Sequence, residues 1–229
     1  LLALVLPPTV PLWLPLIGSA FAIIVAKQAF GGIGHNIFNP ALAGRAFLVS
    51  AWPGLMSKWI APFDAVTAAT PLAIAKAQGI SHLASEYGSK ALLYRAMFSG
   101  NTGGCIGETS AVLILIGAAL LLIRGIIKWD IPVSYIGAVI LASVLAGQDP
   151  LFHLLGGGLM IGAFFMATDY VTSPLTRKGK IIFGVCLGIL TFVFRIFSGM
   201  SEGVMFAILL MNALTPLIDR YTRPRRFGS

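Results

Sequence analysis

Apolar residues follow one another in long runs at 12–30, 38–52, 109–127, 131–147, 151–168, 181–198 and 203–218. Runs of this length, nearly free of charge, suit helices that satisfy their backbone hydrogen bonds internally within lipid. Several fall short of the roughly 20 residues that cross a bilayer straight. Two of the short runs begin at or beside Asn39-Pro40 and Asp149-Pro150, which predicts broken or half helices there. Only 53–108 is a long stretch of mixed polarity, and 81–98 within it reads as an interfacial amphipathic helix. The expected fold is an all-α, polytopic membrane bundle with short and broken helices, forming a single transmembrane domain over 1–229. Leu1 opens an apolar stretch that runs into Pro7-Pro8 and reads as the tail of a helix whose earlier part is missing.

A faint internal echo links Gly34-His35-Asn36-Ile37-Phe38-Asn39-Pro40 and the residues through Gly44 with Gly147-Gln148-Asp149-Pro150 and the residues through Gly157. Such a pair fits inverted repeats whose broken helices meet near the midplane. The match is short and rich in glycine, so chance competes with that reading.

Composition agrees with the pattern. Hydrophobic residues make up 57% of the 229 and charged residues only 10%, against about 25% charged in soluble domains. Mean hydropathy is +0.90. The net charge of +8 raises the question of nucleic acid. The basic residues, however, sit at the ends of apolar runs and form no patch interleaved with aromatics, so no nucleic-acid partner is expected. They act instead as topology signals. Arg124 and Lys128, then Arg177, Lys178 and Lys180, then Arg220, Arg223, Arg225 and Arg226 mark two turns and the C-terminus as cytoplasmic. The turns at 147–150 and 198–202 carry no Lys or Arg. This orientation puts 53–108 on the extracytoplasmic side, although Lys58, Lys76, Lys90 and Arg95 there weaken the bias. Cys105 and Cys186 stand alone, and His35, His82 and His153 are scattered, so neither a metal site nor a catalytic side chain is expected.

The segment Pro62-Phe63-Asp64-Ala65-Val66-Thr67-Ala68-Ala69-Thr70-Pro71-Leu72 is the most informative for chemistry. Small residues before Thr70 leave its hydroxyl open to a bulky partner, and a helix start at Pro71 offers N–H groups to a phosphate. The plainer alternative is a threonine that caps the next helix. In Gly100–Ser110, four glycines permit close backbone approach to a ligand, and Glu108 is expected at a helix N-terminus. That makes Asn101, Gly104 and Glu108 candidates for a pocket, with a capping turn as the alternative. Arg45 lies inside a span, where it would bind an anion, pair with Glu108 or Asp169, or snorkel. Arg195 is expected to snorkel. Asp169 would sit on an ion path or pair with Arg177 or Lys178. Asp130 reads as an N-cap, Cys105 as a small packing residue, and Gly156-Gly157-Gly158 as a site of close helix packing.

Four stretches in order resemble the Rnf complex D-subunit family and its relative, the B subunit of the sodium-pumping NADH:quinone reductase. They are Gly34-His35-Asn36-Ile37-Phe38-Asn39-Pro40-Ala41-Leu42-Ala43-Gly44-Arg45, Thr67-Ala68-Ala69-Thr70, Gly100–Ser110 and Met166-Ala167-Thr168-Asp169-Tyr170. Thr67 and Pro71 favour the Rnf branch. The resemblance implies covalent FMN on Thr70 through a phosphoester, with Asp64, Thr67, Arg45, Asn101, Gly104 and Glu108 near the cofactor. It leaves room for a second, non-covalent flavin and supports an ion-path role for Asp169. It further implies a bacterial or archaeal cytoplasmic membrane, other Rnf subunits and a flavin transferase as partners, and a role as one subunit of a redox-driven Na+ or H+ translocase. The competing class is a cofactor-free channel or secondary transporter, for which Thr70 has no use. A purely structural anchor for soluble redox partners is the third possibility.

Overall fold

The computed structural model describes residues 1–60, 69–198 and 203–223. Over these residues the chain forms helices and no strand. In order they are α1 (Trp13–Ala20), α2 (Pro40–Ala51), α3 (Pro53–Met56), α4 (Pro71–Gln78), α5 (Ile80–Glu86), α6 (Lys90–Ser99), α7 (Ala111–Ile123), α8 (Asp130–Leu145), α9 (Pro150–Leu155), α10 (Leu159–Ile161), α11 (Arg177–Phe197) and α12 (Val204–Thr222). The chain continues from α1 through a π turn, Phe21–Val25, and from α10 through another, Gly162–Met166. Three helical stretches, Trp13–Phe30, Arg177–Phe197 and Val204–Thr222, are long and apolar enough to cross a membrane. The chain is a multi-pass membrane protein, and α2, α7 and α8 are its shorter apolar helices.

One local device recurs at three helix starts. Asn39-Pro40, Thr70-Pro71 and Asp149-Pro150 each place a capping side chain before a proline that lacks the N–H a first turn cannot use. Asn39 Oδ1 accepts from Ala41 N at 3.0 Å, and Asp149 Oδ1 accepts from Leu151 N at 3.1 Å. The two halves of the sequence echo therefore begin helices by the same chemistry.

The main core joins the N-terminal segment to α2, α7, α8, α11, α12 and the stretch around α10. Phe21 stacks on Phe47 with ring centroids 4.2 Å apart, fixing the first span against α2. Helices α8 and α11 cross closely. A Cβ at Gly188 would lie 2.8 Å from the Tyr135 carbonyl oxygen, so only glycine admits this approach. Ile123 and Leu145, 82% and 79% exposed, point away from the protein, as lipid-facing side chains do. A second, smaller core gathers Leu72, Leu83, Leu93 and Met97 of α4–α6 around Phe152 of α9.

Several expectations need correction. The run 81–98 is two helices, because Gly88 adopts φ +85° and Ser89 caps a new start. Asp130 is the first residue of α8, not its cap; Trp129 holds that place. The glycines 156–158 lie between helices rather than within one, although a Cβ at Gly156 would lie 3.2 Å from Leu72 Cγ of α4, so close packing does occur there. They separate α9 from α10, with Gly157 at φ +63°. Helix α11 begins at Arg177 and α12 extends to Thr222, both past the apolar runs. The added turns carry Arg177, Lys178 and Lys180 in α11 and Asp219 and Arg220 in α12, polar residues that suit the edge of the lipid-soluble part.

Candidate functional site

Thr70 is the N-cap of α4: its backbone is extended, and its Oγ1 accepts the Ala73 N–H at 3.3 Å. The residue is 4% exposed, so in this conformation the hydroxyl faces inward rather than openly to solvent. Opposite it lies the loop Gly100–Ser110, with Thr102, Gly104, Glu108 and Thr109 lining a cavity of only about 20 Å³. Leu155 and Gly157, at the break between α9 and α10, close the remaining side. Thr67 and Asp64 lie outside the described residues. Asn101 is exposed and only its backbone N–H is seen to engage, donating to the Ala96 carbonyl.

The loop is held by buried polar contacts. Glu108 does not sit at a helix N-terminus, because Ser110 caps α7. The Glu108 Oε1 instead accepts from Cys105 N at 2.9 Å, bracing the loop on itself. Cys105 is fully buried; its thiol donates to the Val5 carbonyl at 3.2 Å and receives Arg45 Nη2 at 3.3 Å. Arg45 is 8% exposed within α2 and reaches inward, so it does not snorkel. Gly107 N donates to the Leu4 carbonyl at 2.7 Å, tying the same loop to the N-terminal segment. Glu108 thus lines the Thr70 cavity and, through Cys105, is brought near Arg45, 60 residues away from Cys105 in sequence.

Arg195 is the clearest reversal. It is 3% exposed and donates from Nη1 to the His153 carbonyl at 2.5 Å and from Nη2 to the Gly156 carbonyl at 2.7 Å. A guanidinium suits this task, because its fixed fork serves two of the carbonyls left unpaired where α9 stops. No run of hydropathy could have shown this pairing.

A separate cavity of about 490 Å³ lies beside Asn39, Lys27, Phe164, Thr168 and Asp169. Asn39 caps α2 and also donates from Nδ2 to the Met166 carbonyl at 3.4 Å. With the Asn212 amide oriented to satisfy its neighbours, its oxygen accepts from Asn39 N at 3.0 Å and its nitrogen donates to the Ile208 carbonyl at 3.2 Å. Neither Lys27 nor Asn212 lies in a motif; the sequence signal for Asn212 is an amide inside the apolar run of α12. Asp169 pairs with neither Arg177 nor Lys178. Its carboxylate accepts from Val171 N and Thr172 Oγ1, and Arg177 Nε binds Asp130 at 3.0 Å.

Comparison with known proteins places this architecture. The model of the NQR2, RnfD, RnfE family matches residues 1–228. The chain is 50% identical over 240 residues to the D subunit of the proton-translocating ferredoxin:NAD(+) oxidoreductase complex of Clostridium ljungdahlii, covering all of this chain and 72% of that one. It is 47% identical over 232 residues to the Na(+)-translocating counterpart of Acetobacterium woodii, covering all of this chain and 70% of that one. The D subunit of the ion-translocating oxidoreductase complex of Stutzerimonas stutzeri shares 44% over 262 residues, again with the whole chain and 73% of the relative. Matches of this extent, spanning every helix described above, leave one conclusion: the chain belongs to the NQR2, RnfD, RnfE family.

Proposed function

We propose that this chain is the membrane D subunit of an ion-translocating ferredoxin:NAD oxidoreductase, carrying FMN esterified to Thr70 and relaying electrons coupled to Na+ or H+ movement. The relatives' names support the complex, and other subunits of that complex are the partners. The observation that carries the flavin reading is Thr70 itself: the last residue of Thr67-Ala68-Ala69-Thr70, placed as the cap of α4.

The phosphate end of FMN fits this position. An ester at Oγ1 loses the hydroxyl proton but keeps the oxygen that accepts from Ala73 N, so the cap survives the modification. The positive end of the α4 dipole and the N–H groups of its first turn favour the phosphate charge. The cavity of about 20 Å³ is too small for the ring system, which would lie outside it. When bound, FMN supplies an electron relay. Thr70 would hold its phosphate, α4 would offset the charge, and the Gly100–Ser110 loop, braced by the Cys105–Glu108 and Arg45–Cys105 hydrogen bonds, would back the site. The 490 Å³ cavity at Asn39 has the size and largely apolar lining of a small-molecule site, and is the place we assign to a second, non-covalent flavin. Asp169 on its edge is the candidate ion-path carboxylate.

The basic turns support a bacterial or archaeal cytoplasmic membrane orientation with the C-terminus inside and Thr70 outside, where a flavin transferase would act. The test is a denaturing gel of the chain co-expressed with such a transferase and viewed for flavin fluorescence. A fluorescent band that vanishes in Thr70→Ala is expected. A dark wild-type band beside an active transferase would overturn the flavin assignment and favour the cofactor-free transporter.

A further inference from the structure

Among the described residues, the charged side chains that line the cavity of about 490 Å³ beside Asn39 are Lys27 and Asp169. They come from separate parts of the chain. Lys27 lies shortly past the π turn Phe21–Val25 that closes the first span, and Asp169 shortly past the π turn Gly162–Met166. Much of the wall between them is apolar, with Ala22, Ile23, Leu121, Ile127 and Phe164. The neutral polar groups there are already engaged. Thr168 Oγ1 donates to the Phe164 carbonyl at 2.7 Å, and the Asn39 side chain serves the first turn of α2 and the Met166 carbonyl.

Neither charge is settled by its surroundings. Lys27 is half-buried, and its ammonium makes no hydrogen bond or ion pair among the described residues. Asp169 accepts one long bond at each oxygen, 3.4 Å from Val171 N and 3.2 Å from Thr172 Oγ1, both from its own turn. A carboxylate offers about four lone-pair sites, so it keeps room for a cation. Arg177 is occupied elsewhere, with its Nε 3.0 Å from Asp130. Opposite charges on one largely apolar wall attract more strongly than they do in water. The flexible stem of a lysine lets its ammonium move toward the carboxylate without any shift of the backbone.

We propose that Lys27 is the built-in counter-cation of Asp169: its ammonium covers the carboxylate between turnovers and is displaced when the translocated cation arrives. The role rests on Asp169 lying in the ion path, as proposed above. One positive charge leaves the carboxylate as another reaches it, so the exchange costs no net charge in the cavity. A covered carboxylate also gives the cation no place to rest on its way back, which makes Lys27 a guard against leak.

Carbodiimide cross-linking reads the contact without turnover. The reagent activates a carboxylate, and an amine in contact displaces the urea and forms an amide. In the purified complex, a peptide joining Lys27 to Asp169 is expected by mass spectrometry. Glycine ethyl ester coupling to Asp169 in Lys27→Met shows that the reagent reaches the carboxylate. The same variant keeps the stem and drops the charge. In vesicles carrying the complex, the gradient that the wild type builds, of Na+ or of pH, should collapse severalfold faster in Lys27→Met once turnover stops, at an unchanged unfolding midpoint. A lysine that extends to the aqueous interface instead would give no cross-link where glycine ethyl ester couples, and that result would overturn the pairing. A Lys27→Met gradient as lasting as that of the wild type would overturn the guard. The two readings fail differently. If Asp169→Asn slows ion uptake but the cross-link is missing, only the part given to Lys27 is lost; if the cross-link forms but Asp169→Asn pumps at the wild-type rate, the ion path is lost and the role of Lys27 with it.

Discussion

Asp149 shows how much one side chain can join. Its Oδ1 caps α9 through Leu151 N and Phe152 N, while Oδ2 accepts the Tyr94 hydroxyl, so a single carboxylate ties α6 to the broken span. Burial pushes its pKa up, but the Tyr94 bond and the α9 N–H groups outweigh that and hold it below the ordinary 3.8. Tyr94 is pushed up to about 12, by burial first and then by the hydrogen bond to Asp149. The signs define a window. A depressed carboxyl contributes stability above its unfolded value and loses it as pH falls through the folded one; a raised phenol contributes below 10 and loses it as pH rises through about 12. The tie therefore holds across neutral pH and fails only at the extremes. Asp149→Ala should cost about 1–2 kcal/mol through the lost cap, measured as a fall in the thermal unfolding midpoint in detergent. Asp149→Asn should bring the Tyr94 phenol back toward 10, seen as the difference in absorbance titration between that variant with and without Tyr94→Phe. Asp169 poses a functional rather than a structural question. Its carboxylate bonds only locally, to Val171 N and Thr172 Oγ1, so Asp169→Asn should keep the fold. Ion uptake in vesicles carrying the complex should drop severalfold while the unfolding midpoint stays put; uptake at the wild-type rate would remove Asp169 from the ion path.

Helices α8 and α11 are closely packed along their length and make a sharp test of packing. At Gly188 a Cβ would press on the Tyr135 carbonyl and, at 3.1 Å, on Val139 N, whereas at Gly137 of the same α8 nothing lies within 4 Å. Gly188→Val should destabilise by about 1–3 kcal/mol or more through overpacking, and Gly137→Ala should stabilise by roughly 0.5–1 kcal/mol through helix propensity. Unfolding midpoints moving in opposite directions would bear this out; a shared fall would show that Gly137 faces a contact after all. The elements themselves were legible because lipid imposes long apolar runs, and the Asn39-Pro40 and Asp149-Pro150 pairs announced half helices by local chemistry alone. Partners remote along the chain were not. Arg195 finds carbonyls 42 and 39 residues away, and Arg45 finds a thiol 60 residues away. A charge inside an apolar run says only that a partner exists, and the snorkelling expected of Arg195 was the wrong partner: solvent in place of the end of α9. Glu108 was misplaced for a different reason, since Ser110 two positions on was an equally good cap and took the helix.

The whole molecule is a bundle whose two ends differ in build. At one end, the turn between α7 and α8 and the start of α11 carry Arg124, Lys128, Arg177 and Lys178, with Arg177 paired to Asp130 across them. At the other end α4–α6 fold over α9, bringing Thr70, the Arg195 clamp and a cavity beside His153 to the same side of the broken span. An excess of Lys and Arg in short turns stays on the cytoplasmic side during insertion, and the proposed orientation, with the first end inward and Thr70 outward, rests on that rule. The two ends can be told apart chemically. In a background lacking Cys105 and Cys186, Lys128→Cys and Gln148→Cys each place one exposed thiol in a turn at opposite ends of α8. A membrane-impermeant maleimide applied to intact cells, with the outer layers made permeable, should label Gln148→Cys and spare Lys128→Cys until the cytoplasmic membrane is broken. Labelling in the reverse order would turn the molecule over and put Thr70 inside, beyond the reach of a transferase acting outside the cytoplasm, so the same measurement bears on whether the flavin can be attached at all.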